Sequence, residues 1–331
     1  MKILIVGSGA IGEMHAQVIG AAGGHSLAFC DSSRESAQRL ANAFGADEIY
    51  ADYTEAIRKS CAQAVIVCTP NFLHAPVTIE ALGAGCDVLC EKPMASTLQQ
   101  AAAMQKAAEA SGRTLMIGYI MRMNRALQRL KVVLDSGELG RIVSARVILA
   151  APETLTYAKS DYRKSYETGG GIIYDYSHEL DYCRLFFGEA KRCVCFKGLC
   201  LKAGKTCDDN ADMMIEYKSG VTLQLHMDYI QEKGRGTGRG IEIVCEKGFA
   251  ACDFKNVIVS WYNGDTTNYS FRPDGEDLYS RNEVFTRQFE TFLRACGGEK
   301  LPYVTGTDGM RVIELCERLY DSANSGLVKE L

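Results

Sequence analysis

The chain of 331 residues exceeds the usual size of a single hydrophobic core, so two domains or one enlarged α/β domain are expected. Hydrophobic residues make up 47% and charged residues 24%, ordinary globular usage that excludes a disordered chain or a fibre. With 41 acidic against 37 basic residues the net charge is −4, so no cationic field is available for nucleic acid or an acidic membrane.

No run approaches the eighteen apolar residues of a membrane span, and the apolar stretch at residues 3–6 meets glycine too soon for a signal-peptide core. Many of the fourteen cysteines sit in apolar runs, such as residues 65–68 and 88–90, where Cys behaves as a small hydrophobe. A reducing cytoplasmic location without a disulfide framework is expected.

Short β-type runs alternate with helical periodicity over the first third: residues 3–6 then 11–22, 27–30 then 35–44, 64–68 then 73–83. Strands at 88–90 and 114–117 flank an alanine-rich helix over 96–110, with Ser96 or Thr97 as its N-cap. Apolar strands separated by helices predict a doubly wound parallel sheet covered on both faces, the Rossmann arrangement. The pattern changes after Gly118. A helix over 124–134 ends in Asp135-Ser136-Gly137 and a strand over 142–149 follows. Strands at 193–201, 213–217, 221–229, 241–245 and 256–261 predict an antiparallel sheet in a second, α+β domain, and helices over 282–295 and 308–322 close the chain. The expected domains are 1–118 and 119–331, with a C-terminal helix able to pack back on the first.

Gly7-Ser8-Gly9-Ala10-Ile11-Gly12 carries G-x-G-x-x-G between a strand and a helix. Gly7 permits the tight turn, Gly9 lets backbone N–H groups approach a pyrophosphate, and Gly12 allows close packing. Nineteen residues on, Asp31 ends the second strand, where a carboxylate accepts from both ribose hydroxyls of NAD and repels the extra phosphate of NADP. NAD is the expected cofactor. NADP is the alternative if Asp31 turns away and Ser32, Ser33 and Arg34 receive the phosphate.

Two further strand ends carry unusual residues. Thr69-Pro70-Asn71 with His74 follows one, and Glu91-Lys92-Pro93 follows the other, both at the carboxyl edge where open α/β sheets bind ligands. Pro93 biases Lys92 toward extended geometry, and a cis peptide there would aim its ammonium sharply. Such a lysine can bind a substrate hydroxyl and ease its deprotonation. A third constellation is Gly169-Gly170-Gly171 followed by Asp175, His178, Glu179, Asp181 and Tyr182. If helical from about Ile172, this segment lines up Asp175, His178, Glu179 and Tyr182 on one side. An imidazole beside a carboxylate can relay a proton as hydride leaves a secondary alcohol.

The order G-x-G-x-x-G, strand-end Asp, T-P-N-x-x-H, E-K-P, G-Y-x-x-R, G-G-G-x-x-x-D and H-x-x-D resembles the Gfo/Idh/MocA family of glucose-fructose oxidoreductases, inositol dehydrogenases and rhizopine-catabolism proteins. The resemblance covers nearly the whole chain. It implies an N-terminal NAD(P)-binding Rossmann domain and a C-terminal α+β domain whose open, mainly antiparallel sheet binds substrate and forms homodimers or homotetramers. It further implies oxidation or reduction of a sugar, cyclitol or sugar nucleotide. Carried over by position, Lys92 is the E-K-P lysine, Asp175 the aspartate after the glycine triplet and His178 the catalytic histidine; Arg122 lies near the cofactor–substrate junction. The histidine follows the aspartate by three residues rather than the family's usual four, so Glu179 is its rival. Relatives that cleave glycosides by transient oxidation with bound NAD supply one alternative activity, and a non-catalytic dinucleotide sensor supplies another.

Tyr157, Tyr162, Arg163 and Tyr166 precede the glycine triplet in a long segment suited to closing over a polar substrate. Lys233, Arg235 and Arg239 form a basic, glycine-rich stretch that could meet a diphosphate. His226 and Asp228 share the polar face of an alternating strand. The spacing of Cys193, Cys195, Cys200 and Cys207 does not match a zinc knuckle, and no metal is expected.

Overall fold

The structure, a computed structural model, describes residues 1–150, 165–166, 169–199, 206–229, 239–271 and 281–331. Its contacts divide the chain into Met1–Ile120 with Arg281–Ile313, and Met121–Ser280 with Glu314–Leu331.

The first unit is a parallel sheet of β1 (Lys2–Val6), β2 (Ser26–Cys30), β3 (Glu48–Tyr50), β4 (Ala64–Val67), β5 (Asp87–Cys90) and β6 (Leu115–Ile117). The strand order 3-2-1-4-5-6 places the topological switch between β1 and β4. The connecting helices are α1 (Ala10–Ala22), α2 (Arg34–Phe44), α3 (Tyr53–Lys59), α4 (His74–Gly83) and α5 (Leu98–Ser111). Ile3, Leu4, Ile5, Val65, Ile66, Val88 and Leu89 are all fully buried, as strands covered on both faces require. Helix starts follow capping chemistry: Ser33, Asp52 and Thr97 accept from the backbone N–H three residues on. Helix α9 (Arg281–Cys296), from late in the chain, belongs to this unit, where Phe285 and Phe289 set their rings edge-on to His15 and His25.

The second unit opens with α6 (Arg125–Asp135), capped by Asn124, and β7 (Ile142–Ala150). Two consecutive helices follow, α7 (Ile172–Asp175) and α8 (Ser177–Phe187). Then come β8 (Ala190–Gly198), β9 (Asn210–Tyr217), β10 (Thr222–Asp228), β11 (Arg239–Cys245), β12 (Gly248–Cys252), β13 (Asn256–Trp261) and β14 (Thr266–Ser270). Helix α10 (Gly306–Ser325), within which the division between units falls, leads to β15 (Lys329–Glu330). The nine strands form one sheet in the order 14-13-12-11-7-10-9-8-15. Every neighbour is antiparallel except β7 and β10, so the expected antiparallel sheet is mixed at its centre. Along β10, Leu223, Leu225 and Met227 are buried, while Gln224 and His226 point to the opposite, more open face.

The thirteen described cysteines are free thiols, and ten of them are buried. Burial pushes Cys30, Cys193 and Cys195 up to about 12. Among the described residues no helix is long and apolar enough to cross a membrane.

Candidate active site

At the carboxyl edge of the parallel sheet the three motif glycines do different work. Gly7 has φ +101°, and a Cβ there would lie 2.5 Å from the carbonyl oxygen of Cys68. A Cβ on Gly12 would lie 2.0 Å from the Gly7 oxygen, so α1 can start only if this position is bare. Gly9 faces open space, with nothing within 4 Å of its Cβ position. Gly9 is also the N-cap of α1 and supplies no side-chain cap, which leaves the first N–H groups directed outward at the positive end of the helix. The side-chain oxygens of Ser8, Thr69 and Asn71 are buried without a hydrogen-bond partner. Open helix N–H groups, a bare glycine and orphaned polar atoms on one edge fit a dinucleotide.

Asp31 does not turn away from this edge. Its Oδ2 accepts from Ser8 N (2.7 Å) and its Oδ1 from Ser33 N (2.8 Å), which fixes the carboxylate from both sides. Ser32 and Arg34 are exposed beside it, Ser33 is occupied as the cap of α2, and Arg39 of α2 is paired with Glu13. Ala10 and Ile11 are exposed on the first turn of α1.

His74 and Glu91 lie beneath the edge rather than on it. His74 is 1% exposed, with Nδ1 2.7 Å from the Pro93 oxygen and Nε2 2.9 Å from the Thr69 oxygen. It thereby ties the loop after β4, with Pro70 in it, to the loop after β5. Burial holds its pKa below the ordinary value, against the pull of the two carbonyls, and a neutral ring can donate to only one of them. Glu91 Oε1 lies 2.8 Å from Nε2 of the buried His15 on α1, and its Oε2 accepts from Lys92 N at 3.3 Å. Lys92 itself is half-buried at the strand exit, and the Lys92–Pro93 peptide is cis.

In the second unit, residues 169–182 are held from several directions. The glycine triplet brings the chain into α7 through Gly169 and Gly171, both with positive φ. Ile172 N donates to Asp208 Oδ2 (2.9 Å), and the Tyr174 ring stacks on Tyr320 at 5.5 Å. The Asp175 carboxylate accepts from Tyr229 Oη at 2.5 Å. The expected continuous helix is corrected here: Tyr176, at φ −100° and ψ 31°, separates α7 from α8, so Asp175 does not share a helical face with His178, Glu179 and Tyr182. Beyond the break, Glu179 is fully buried and receives Arg239 Nε and Nη2 at 3.0 and 2.5 Å. Asp181, also fully buried, receives Arg122 Nε and Nη2 at 2.8 and 2.6 Å in a bidentate pair. Burial works against the Arg239 charge, but the Glu179 carboxylate outweighs it and raises the guanidinium pKa. Tyr182 is buried against Phe254. Asp175 and His178 remain half-exposed.

This arrangement separates the expected residues. Glu179 is committed to an ion pair and is not positioned as a free base, and Arg239 is spent on that pair rather than on a diphosphate. Arg122 faces Asp181, and the Tyr166 hydroxyl is engaged by Asp208 and Lys197. Tyr157, Tyr162, Arg163, Lys233, Arg235 and Cys200 lie outside the described residues. His226 sits between Asp212 (2.7 Å) and Asp228 (2.8 Å) on the open face of the sheet. Sequence reasoning missed His15, Tyr229 and Asp208. Only Asp208 left a trace, as part of the polar run Asp208-Asp209-Asn210 between two strands.

A parallel sheet ordered 3-2-1-4-5-6, a glycine edge with a fixed acid and an appended mixed sheet define a two-part nucleotide-binding oxidoreductase fold. The profile described as the oxidoreductase family with NAD-binding Rossmann fold (GFO_IDH_MocA) matches residues 1–119, and that of the GFO/IDH/MocA C-terminal domain matches residues 127–251. The chain belongs to the Gfo/Idh/MocA oxidoreductase family. It is 26% identical over 324 residues to inositol 2-dehydrogenase of Rhizobium meliloti (strain 1021), covering 95% of this chain and 94% of that protein. It is 26% identical over 354 residues to D-glucoside 3-dehydrogenase of Escherichia coli (strain K12), covering 100% and 97%. Among solved structures, the WlbA dehydrogenase of Bordetella pertussis, in complex with NADH and UDP-GlcNAcA, aligns with a TM-score of 0.84 at 22% identity, covering 100% and 98%.

Proposed function

We propose that the protein moves a hydride between C4 of the nicotinamide of NAD and a secondary carbinol carbon of a sugar, cyclitol or sugar nucleotide. The bound dinucleotide supplies the redox chemistry. In the oxidative direction the carbinol loses hydride from carbon and a proton from oxygen, giving a ketone, NADH and H⁺. His178 takes the hydroxyl proton, Asp175 orients the hydroxyl and Lys92 polarises its oxygen. Glu91, His74 and His15 serve the nucleotide side by holding the Lys92 loop, and Asp31 meets the adenosine ribose. NAD is favoured over NADP because the Asp31 carboxylate is fixed by two N–H donors and a 2′-phosphate would meet that charge. Tyr157, Arg163 and Tyr166 belong to the segment that would border the substrate.

The observation that carries this assignment is the selective exposure within residues 169–182: Glu179 and Asp181 are fully buried in ion pairs with Arg239 and Arg122, while Asp175 and His178 are only half-buried. The names of the aligned dehydrogenases support a sugar or cyclitol as the substrate class. Self-association through the open face of the nine-stranded sheet, where Phe196 and Met214 are exposed, is part of the same proposal, as is a cytoplasmic setting for its thiols. The test is reduced-nicotinamide absorbance with NAD or NADP against a panel of sugars, cyclitols and nucleotide sugars. Turnover with NAD is expected, and His178→Ala should lower kcat about 1,000-fold while the nucleotide still binds. A fully active His178→Ala with a dead Glu179→Ala would overturn the assignment.

A further inference from the structure

We propose that Asp208 is a positioning residue for the acid–base pair: its buried carboxylate fixes the turn that carries Asp175. This rests on the assignment of Asp175 and His178 to the substrate side.

Asp208 precedes β9 and is 3% exposed. Its Oδ2 accepts the backbone N–H of Ile172, the first residue of α7, at 2.9 Å. Its Oδ1 accepts from Tyr166 Oη at 2.6 Å and from Tyr320 Oη at 3.1 Å. The Tyr166 hydroxyl then accepts from Lys197 Nζ at 2.9 Å and from Asp208 N at 3.1 Å, and the Lys197 ammonium stands 5.1 and 5.6 Å from the two phenol rings. Gly171 is bare for the same purpose. With φ +113°, a Cβ there would lie 2.3 Å from Tyr320 Oη and 3.3 Å from Asp208 Oδ1. Tyr320 also stacks on Tyr174.

Three residues around the start of α7 therefore have fixed contacts: Gly171 through shape, Ile172 through its N–H, Tyr174 through its ring. A buried carboxylate is costly to desolvate, and apolar packing would fasten this buried turn at less expense. What the carboxylate adds is direction, since it sets the backbone donor and two phenols at defined angles. The side chain that benefits lies three residues further on, and a displacement of about 1 Å at reacting groups can cost about 100-fold in rate.

Full-length variants test this. Asp208→Asn keeps an acceptor for Ile172 N–H and should lower kcat about 10-fold; Asp208→Ala should lower it about 100-fold. The KM for the nucleotide should not change. Tyr320→Phe, which removes one donor and keeps the ring, should cost a few-fold and carries the test together with Asp208→Asn if the alanine variant does not fold. Hydrogen exchange read on a peptide over 169–176 needs no turnover: the Ile172 amide should exchange faster in Asp208→Ala than in the parent. Unchanged exchange, or a nucleotide KM that rises as kcat holds, would overturn the role of Asp208. Faster exchange combined with an active His178→Ala would instead overturn the acid–base assignment.

Discussion

The nucleotide edge of the first unit and the 169–182 segment of the second hold their functional groups by opposite means. At the edge the work is done by backbone: N–H groups fix Asp31, glycines let strand and helix touch, and carbonyls flank His74, one of them taking its single N–H. In the segment it is done by side chains: Arg122 and Arg239 bind Asp181 and Glu179, and Tyr229 binds Asp175. A backbone-built site tolerates changes of side chain but not the addition of a Cβ. A side-chain-built site should tolerate small steric changes and fail when a charge is removed.

The largest expected effect breaks a charge. Glu179→Ala removes the fully buried carboxylate that faces Arg239 beside the Phe254 ring, and should cost about 3–5 kcal/mol in chemical denaturation. Nucleotide affinity should not change once the protein is folded. A parent-like denaturation midpoint would show that the ion pair does not hold α8.

Adding single methyl groups sharpens the contrast on the other side. Gly12→Ala meets the Gly7 oxygen and should cost about 1–3 kcal/mol, as overpacking does. Gly9→Ala meets nothing within the chain and should melt like the parent, yet weaken NAD binding in calorimetry by about 10-fold. Equal melting and equal affinity for Gly9→Ala would remove the pyrophosphate from this edge.

The smallest effect lies on the open sheet face. Partial burial lowers the His226 pKa, but the Asp212 and Asp228 carboxylates outweigh it and the net shift is upward. A raised folded-state pKa contributes stability that is complete below the ordinary histidine range and disappears as pH climbs through the raised value. Relative to His226→Gln, the parent should therefore lose about 1–2 °C in Tm as pH rises from acidic to mildly alkaline. A parallel pH dependence in both proteins would remove the carboxylate clamp.

Much of the nucleotide unit is legible in the sequence because its signals are local. Apolar runs of four or five residues announce β1, β2, β4 and β5, and the glycine spacing with Asp31 announces the edge. Strand β3 and helix α3 leave little trace: the strand has three half-buried residues and the helix is only about two turns long. The second unit is harder to read, since its determinants are distant in sequence. Nothing near Glu179 signals a partner 60 residues away in Arg239, and nothing near Asp181 signals Arg122, 59 residues earlier. The break at Tyr176 carries neither glycine nor proline to mark it. The positions of Asp175 and His178 are legible through the family pattern; the reason they stay accessible while their neighbours do not is visible only in three dimensions.

The distribution of thiols has a practical corollary. Of the thirteen described cysteines only Cys61, in the short link before β4, is exposed; ten are buried. A maleimide probe applied briefly to the folded protein would thus mark the nucleotide unit first at that one place, giving a spectroscopic handle without any engineered residue.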